Sequence, residues 1–281
     1  MPLTTRYMAA MHLARNAGAL AHEFFAHRHF MFAGHSNADE FATRSIDTIR
    51  TLIRTKLAAA FPGDAIIDEG AAGSEYASLE RAWIVDPISG TTNFLRGIPF
   101  YAVSMAYVER DCCEAGVIYD PEHDELFHVR RGDGAWCEHA GTDTRIEVAH
   151  CESLDGAVIC VAHGERQPDP GYLIVRHELM DLGSTVRAIG TPALELAHVA
   201  ASRCDGFVGM HVNSQALRAG VLLVEEAGGY TMRAAHSDDT RADTPLVASA
   251  PGIARLLTEA ASPWSGRHTG ELQRAPTPPV H

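Results

Sequence analysis

Apolar residues recur at helical spacing from the start of the chain. Met8, Met11, Leu13, Ala17, Leu20 and Phe24 fall on one side of a 3.6-residue period, which predicts an amphipathic helix from Met8 to about Arg28. A loop of small residues follows around Gly34-His35-Ser36-Asn37. Ile46, Ile49, Leu52, Ile53 and Leu57 then mark a second helix, Asp39 to Ala60, stopped by Phe61-Pro62-Gly63-Asp64. Beyond it the period shortens. Ala65 to Ile67, leading to Asp68-Glu69, and Arg81 to Val85 read as strands. So do Tyr101 to Glu109, Glu114 to Tyr119 and Glu125 to Arg130, which polar turns join into an antiparallel meander. The second half alternates. Strands are predicted at 157–162, 184–189, 206–210, 230–233 and 246–248, and helices at 172–182, 191–201, 215–227 and 252–261. From Ser262 onward Pro, Gly, Thr and His dominate, which predicts a disordered tail over 262–281.

This order of elements predicts layered packing of mixed class, an α+β lobe over 1–150 followed by an α/β lobe over 151–261. With 281 residues, 46% of them hydrophobic, the chain can bury a large core. The formal net charge is −13 and Lys56 is the sole lysine, so neither nucleic acid nor an anionic membrane is expected as a partner. A small anionic molecule remains open, because a local metal or a nest of N–H groups outweighs a distant negative field. No run of 18 apolar residues occurs, and the N-terminus lacks the charged-then-apolar pattern of a leader, which predicts a cytoplasmic protein. The six cysteines form no C-x-x-C pair and are expected as reduced thiols. The 16 histidines show no H-E-x-x-H spacing.

The stretch Trp83-Ile84-Val85-Asp86-Pro87-Ile88-Ser89-Gly90-Thr91-Thr92-Asn93-Phe94 carries the candidate chemistry. An apolar strand ends in a carboxylate, and a turn rich in glycine and threonine then offers N–H groups and hydroxyls beside it. A metal-bound phosphate needs that combination. Glu69 ends the preceding strand, and two acids at neighbouring strand ends can share one hard cation, with the Ile88 carbonyl as a third ligand. Exposed strand-end acids are also common, and it is the Gly-Thr-Thr context that favours a site.

The same stretch resembles the D-P-I-D-G-T-T-N-F signature of the inositol monophosphatase family of magnesium-dependent phosphatases. The likeness continues through Gly97–Glu109, Gly116–Pro121 and Arg131–Cys137. It resumes at Arg187-Ala188-Ile189-Gly190-Thr191, at Val199-Ala200 with Cys204-Asp205-Gly206, and at Ala219-Gly220 through Gly228-Gly229. It implies the layered αβαβα sandwich of the inositol monophosphatase and fructose-1,6-bisphosphatase type, a dimer as in relatives, and two or three magnesium ions. In that family a Glu and the first signature Asp hold the ion that activates water. Both Asp residues of the signature, with an Asp from a W-D-x-A-A-G motif, hold a second ion at the leaving oxygen.

Carried over position by position, the resemblance implies Glu69, Asp86 and the Ile88 carbonyl as metal ligands, and Glu69, Asp86 and Thr91 as catalytic residues. Ser89, Gly90, Thr91, Gly190 and Thr191 would meet the substrate. Three acids of the pattern are missing. Ser89 replaces the second Asp. The W-D-x-A-A-G motif reads Gln215-Ala216-Leu217-Arg218-Ala219-Gly220, so Ala216 stands for its Asp. In the early D-x-V-T-x-x-D pattern, Ser45 takes the acid's place without a gap and Asp47 only with a shift. Gly209 stands for a substrate-binding Glu, and G-E-E has become Asp68-Glu69-Gly70. One magnesium at most, held weakly, or none is therefore expected. Arg218 is either an exposed helix arginine or a positive charge standing where the second metal was, able to hold an anion. His35, His163, His211 and Asn213 are either surface residues or a new acid–base set. Three functions follow: an enzyme repurposed for a phosphorylated or anionic small molecule, in specialised biosynthesis; a residual magnesium-dependent phosphomonoesterase through Glu69 and Asp86; and a non-catalytic binding or regulatory subunit.

Overall fold

The computed structural model describes residues 2–32, 38–68, 79–164, 170–213, 216–232 and 245–262. Helix α1 (Leu3–Phe32) begins before its apolar stripe, because the Pro2 carbonyl accepts the N–H groups of Thr5 and Arg6 and opens the first turn. Helix α2 (Ala38–Ala60) stops at Phe61-Pro62 as its sequence predicts. Strands β1 (Ala65–Asp68) and β2 (Arg81–Ser89) pair in parallel. The short helix α3 (Thr91–Arg96) follows. A meander then runs through β3 (Ala102–Glu109), β4 (Cys112–Asp120), β5 (Glu125–Arg130), β6 (Ala135–His139) and β7 (Thr142–Ile146). The seven strands form one sheet in sequence order. The last hairpin goes beyond the expected strands: β7 is exposed nearly throughout and has no apolar alternation to reveal it.

The chain next enters a second sheet at β8 (Val158–His163) and continues through α4 (Pro170–Asp181), β9 (Thr185–Arg187), α5 (Pro192–Ala200), β10 (Gly206–Met210), α6 (Arg218–Glu226), β11 (Tyr230–Met232), β12 (Leu246–Ser249) and α7 (Ala254–Ala261). Its strand order is β11-β12-β10-β8-β9, with β10, β8 and β9 parallel. The chain steps from β8 to one side and then to the other, so the β8–β10 seam is a topological switch point.

Burial follows strand alternation. Trp83, Val85, Met105 and Tyr107 face α1 and α2, and Ile84, Ala106 and Ile118 face the other way. There they meet Leu196, Val221 and Phe207 in a cluster filled from both halves of the chain, with α5 and α6 between the sheets. Helices α4 and α7 cover the far side of the second sheet. The layers read α1/α2, sheet, α5/α6, sheet, α4/α7, which is the expected αβαβα sandwich. The chain crosses between sheets after Ile146 and before Val158. The predicted tail, apart from Ser262, lies outside the described residues. No described helix is long and apolar enough to cross a membrane.

Candidate functional site

Asp86 lies two positions past Ile84 on β2 and faces the interlayer side by alternation. It is 3% exposed, and one carboxylate oxygen accepts the Ile88 N–H at 3.2 Å. A bulge between Asp86 and Ser89 then bends the strand into the turn. Ser89 is buried as well. Gly90 is left-handed at φ 87° and precedes the first residue of α3. The Thr91 hydroxyl donates to the Ile88 carbonyl at 3.1 Å, which leaves that carbonyl one lone pair for a cation. Asp86, Ile88, Ser89, Gly90 and Thr91 thus stand together, as the sequence suggests. Glu69 lies outside the described residues.

The Gly190-Thr191 turn from the second lobe does reach this place, but as a support. Thr191 is fully buried, and its hydroxyl donates to the Phe100 carbonyl at 2.7 Å. Asn93 on α3 donates to the carbonyls of Phe100 at 2.9 Å and Ile189 at 2.7 Å. A Cβ on Gly90 would stand 2.4 Å from Thr191 Oγ1 and 2.9 Å from the Phe100 oxygen. Thr191, expected to meet the substrate, uses its hydroxyl to brace the first-lobe turn. Gly90→Ala combines a left-handed backbone with a clash and is expected to cost on the order of 3 kcal/mol, read as a lower thermal midpoint.

Arg218 fits neither reading of its sequence position. It is buried, its Nη1 donates to the Asp111 carbonyl at 2.9 Å, and its Nη2 pairs with the Asp111 carboxylate. Asp111 lies past Glu109, whose partner is Arg81, whereas Asp86 pairs with Ser104. Five register steps separate those levels, roughly 17 Å at strand rise. The guanidinium charge is balanced at the β3–β4 turn.

The positions where the resemblance expects acids can be traced. Ala216 is buried just ahead of α6. Ser45 is 1% exposed on the inner face of α2, while Asp47 points outward and pairs with Arg50. The ungapped match, with serine for the acid, is the one the helix presents inward. Asp68 cannot stand in for them: Ile67 beside it faces the interlayer cluster, and Asp68 faces α2, where Arg54 holds it at 2.9 Å. Gly209 has no room for a longer residue, since a Cβ there would meet Val212 and the Phe207 ring within 3 Å.

At the switch point, His163 ends β8 and His211 follows β10, with ring centroids 5.8 Å apart. Tyr172 packs edge-on against His163 at 5.2 Å. Asn213 is exposed nearby in sequence, and His35 lies outside the described residues. All six cysteines are free thiols.

Two residues of the site were not singled out by sequence. Asn93 belongs to the signature but received no role. Glu195 is an isolated acid in the apolar run Ala193-Leu194-Glu195-Leu196-Ala197, a pattern that itself flags a buried polar group. It is fully buried, and its Oε1 accepts the N–H groups of Ile189 at 2.8 Å and Gly190 at 3.2 Å. Burial pushes its carboxyl up, against the pull of those two donors.

As donors for a divalent cation, Asp86 and the Ile88 carbonyl fit one ion in part. The second set does not fit: Ser89 offers a neutral oxygen and Ala216 none. Among the described residues no three of His, Cys, Asp or Glu converge on one point.

Comparison with known proteins agrees with the fold. A family model described as the Inositol monophosphatase family matches residues 3–263. An inositol-1-monophosphatase of Mesorhizobium japonicum is 37% identical over 219 residues, covering 77% of this chain and 81% of that protein. The Nus factor SuhB of Pasteurella multocida is 30% identical over 258 residues, covering 90% and 94%. Among solved structures, Mycobacterium tuberculosis SuhB superposes with a TM-score of 0.79 at 27% identity, over 94% of this chain and 98% of that one.

Proposed function

The chain belongs to the inositol monophosphatase family, and from that premise we propose that it has kept the phosphate turn of a two-metal phosphatase while losing the second metal. It acts on a phosphorylated or otherwise anionic small molecule, with one magnesium or none, as a repurposed cytoplasmic enzyme of specialised biosynthesis. One observation carries this reading: Ser89 and Ala216, where the family pattern has two carboxylates, are both buried and uncharged.

Asp86, the Ile88 carbonyl and Glu69 are the groups that would hold the one magnesium. When bound, that ion would supply a polarised water for attack at phosphorus. The chain's own part is positional. The bulge after Asp86 aims its carboxylate, Thr91 fixes the Ile88 carbonyl, and the Gly90–Thr92 turn orients the phosphoryl group. With no second cation, nothing in the described site balances charge on the leaving oxygen.

A second reading rests on the relatives named Nus factor SuhB. It makes the chain a non-catalytic regulatory subunit, free of turnover and active as a homodimer through a macromolecular partner. The negative net charge is no ground for excluding a role beside nucleic acid. Magnesium titration with a generic phosphomonoester separates the cases. The proposal predicts little turnover at any magnesium concentration but measurable binding of phosphate. Substantial turnover abolished by Glu69→Gln would instead identify a residual phosphomonoesterase. Brisk hydrolysis with two ions bound side by side would overturn the proposal.

A further inference from the structure

The phosphate turn is not held by its own lobe alone. Ile189 is fixed at both ends of its peptide environment: its N–H donates to Glu195 Oε1 at 2.8 Å, and its carbonyl accepts Asn93 Nδ2 at 2.7 Å. The next two residues continue the link. Gly190 donates to the same Glu195 oxygen at 3.2 Å, and Thr191 donates to Phe100 while filling the space behind Gly90. A chain of hydrogen bonds therefore runs from the first turn of α5 in the second lobe to α3 in the first.

We propose that Glu195 is the positioning residue of the phosphate turn, a buried clamp through which α5 sets the place of Gly90, Thr91 and Thr92. The inference rests on the reading of that turn as the phosphate site. Glu195 touches no substrate and acts through the 189–191 turn. The placement of the acid supports this role over simple filling of space. A fully buried carboxyl carries a desolvation cost that an apolar residue of similar size would avoid. Its Oε2 has no hydrogen-bond partner among the described residues, and within them its hydrogen bonds go to the two N–H groups of this turn. Removing it leaves two buried donors unmet and frees the Ile189 peptide that Asn93 grips.

The test compares Glu195→Leu with Glu195→Gln by amide hydrogen exchange and by calorimetric binding of inorganic phosphate in the presence of magnesium. Glu195→Leu is expected to speed exchange roughly tenfold in the peptide spanning 188–192 and also, across the lobes, in the peptide spanning 88–98. Strands β3 to β5 should stay unchanged, and phosphate affinity should fall about tenfold. Glu195→Gln keeps an oxygen for both donors and is expected to restore exchange and affinity to within about twofold. If Glu195→Leu does not fold, Glu195→Asp, one methylene short of the turn, is expected to shift the same two peptides. Faster exchange confined to 188–192, uniform change over the whole chain, or failure of Glu195→Gln to restore protection would each overturn the inference. Absence of phosphate binding by the unaltered protein would instead count against the phosphate-site reading, and the exchange comparison would still decide the role of the clamp.

Discussion

The double substitution Ser89→Asp with Ala216→Asp is expected to raise magnesium-dependent hydrolysis of a phosphomonoester by at least about 10²-fold. The gain is electrostatic. A second cation needs carboxylates, and each of these positions restores one that the family pattern has. Both positions are buried, at 5% and 6% exposure, so the new charges enter a site with little water to screen them. Without metal, that crowding of carboxylates destabilises the fold by several kcal/mol. With metal, binding to the folded state alone recovers stability, by about 2.7 kcal/mol at a hundredfold excess over the dissociation constant. The variant should therefore melt lower than the unaltered protein in chelator and show the larger rise in midpoint as magnesium is added. Initial rates and thermal midpoints across a magnesium titration read both effects. A variant that folds, yet gains neither turnover nor magnesium-dependent stability, would show that the missing carboxylates are not what limits this site.

Much of the architecture could be read from periodicity, because long elements repeat their pattern often enough to be seen. Ile46, Ile49 and Ile53 define α2, and the run ending at Val85 defines the core of β2. Short elements do not repeat. Six residues of α3 span less than two turns, and they follow a left-handed glycine whose conformation no pattern announces. The candidate site divides the same way. Asp86, Ser89 and Gly90 are contiguous, so their association was legible. The bond from Asn93 to Ile189 spans 96 positions, and the pair of Arg218 with Asp111 spans 107. Such partners are set by packing of layers. Arg218 shows the consequence: its place in the altered motif suggested a charge in the cleft, and tertiary contact sends that charge to a hairpin turn. Thr191 is a further case, since its hydroxyl is taken by the Phe100 carbonyl 91 positions away.

Asp64→Asn is expected to destabilise the protein by about 3–5 kcal/mol at neutral pH, because it strands a buried arginine. Arg6 Nε and Nη2 reach the Asp64 carboxylate at 2.7 and 2.8 Å, and the two side chains are 5% and 1% exposed. The guanidinium lies over the rings of both Phe61 and Tyr107, and Trp83 Nε1 donates to Asp64 at 3.2 Å. Together these contacts fasten the start of α1 to the turn before β1. Burial alone would push the Asp64 carboxyl up, but the hydrogen bonds and charge of Arg6, with help from Trp83 and Arg81, outweigh it and hold the group below its ordinary value. A carboxylate depressed on folding contributes stability above its unfolded value, near pH 3.9, and that contribution fades as pH falls through the folded value. The gap between the unaltered protein and Asp64→Asn should therefore be full at pH 7 and narrow below about pH 4. Replacing both partners with apolar residues, Arg6→Met with Asp64→Leu, should recover much of the loss, since the two buried charges then leave together and only the part-exposed Arg81 loses a partner. Urea unfolding at a series of pH values measures each of these differences. A gap that stays constant down to pH 3 would mean that the ion pair does not carry the stability assigned to it, and that packing of α1 against Phe61 and Tyr107 does.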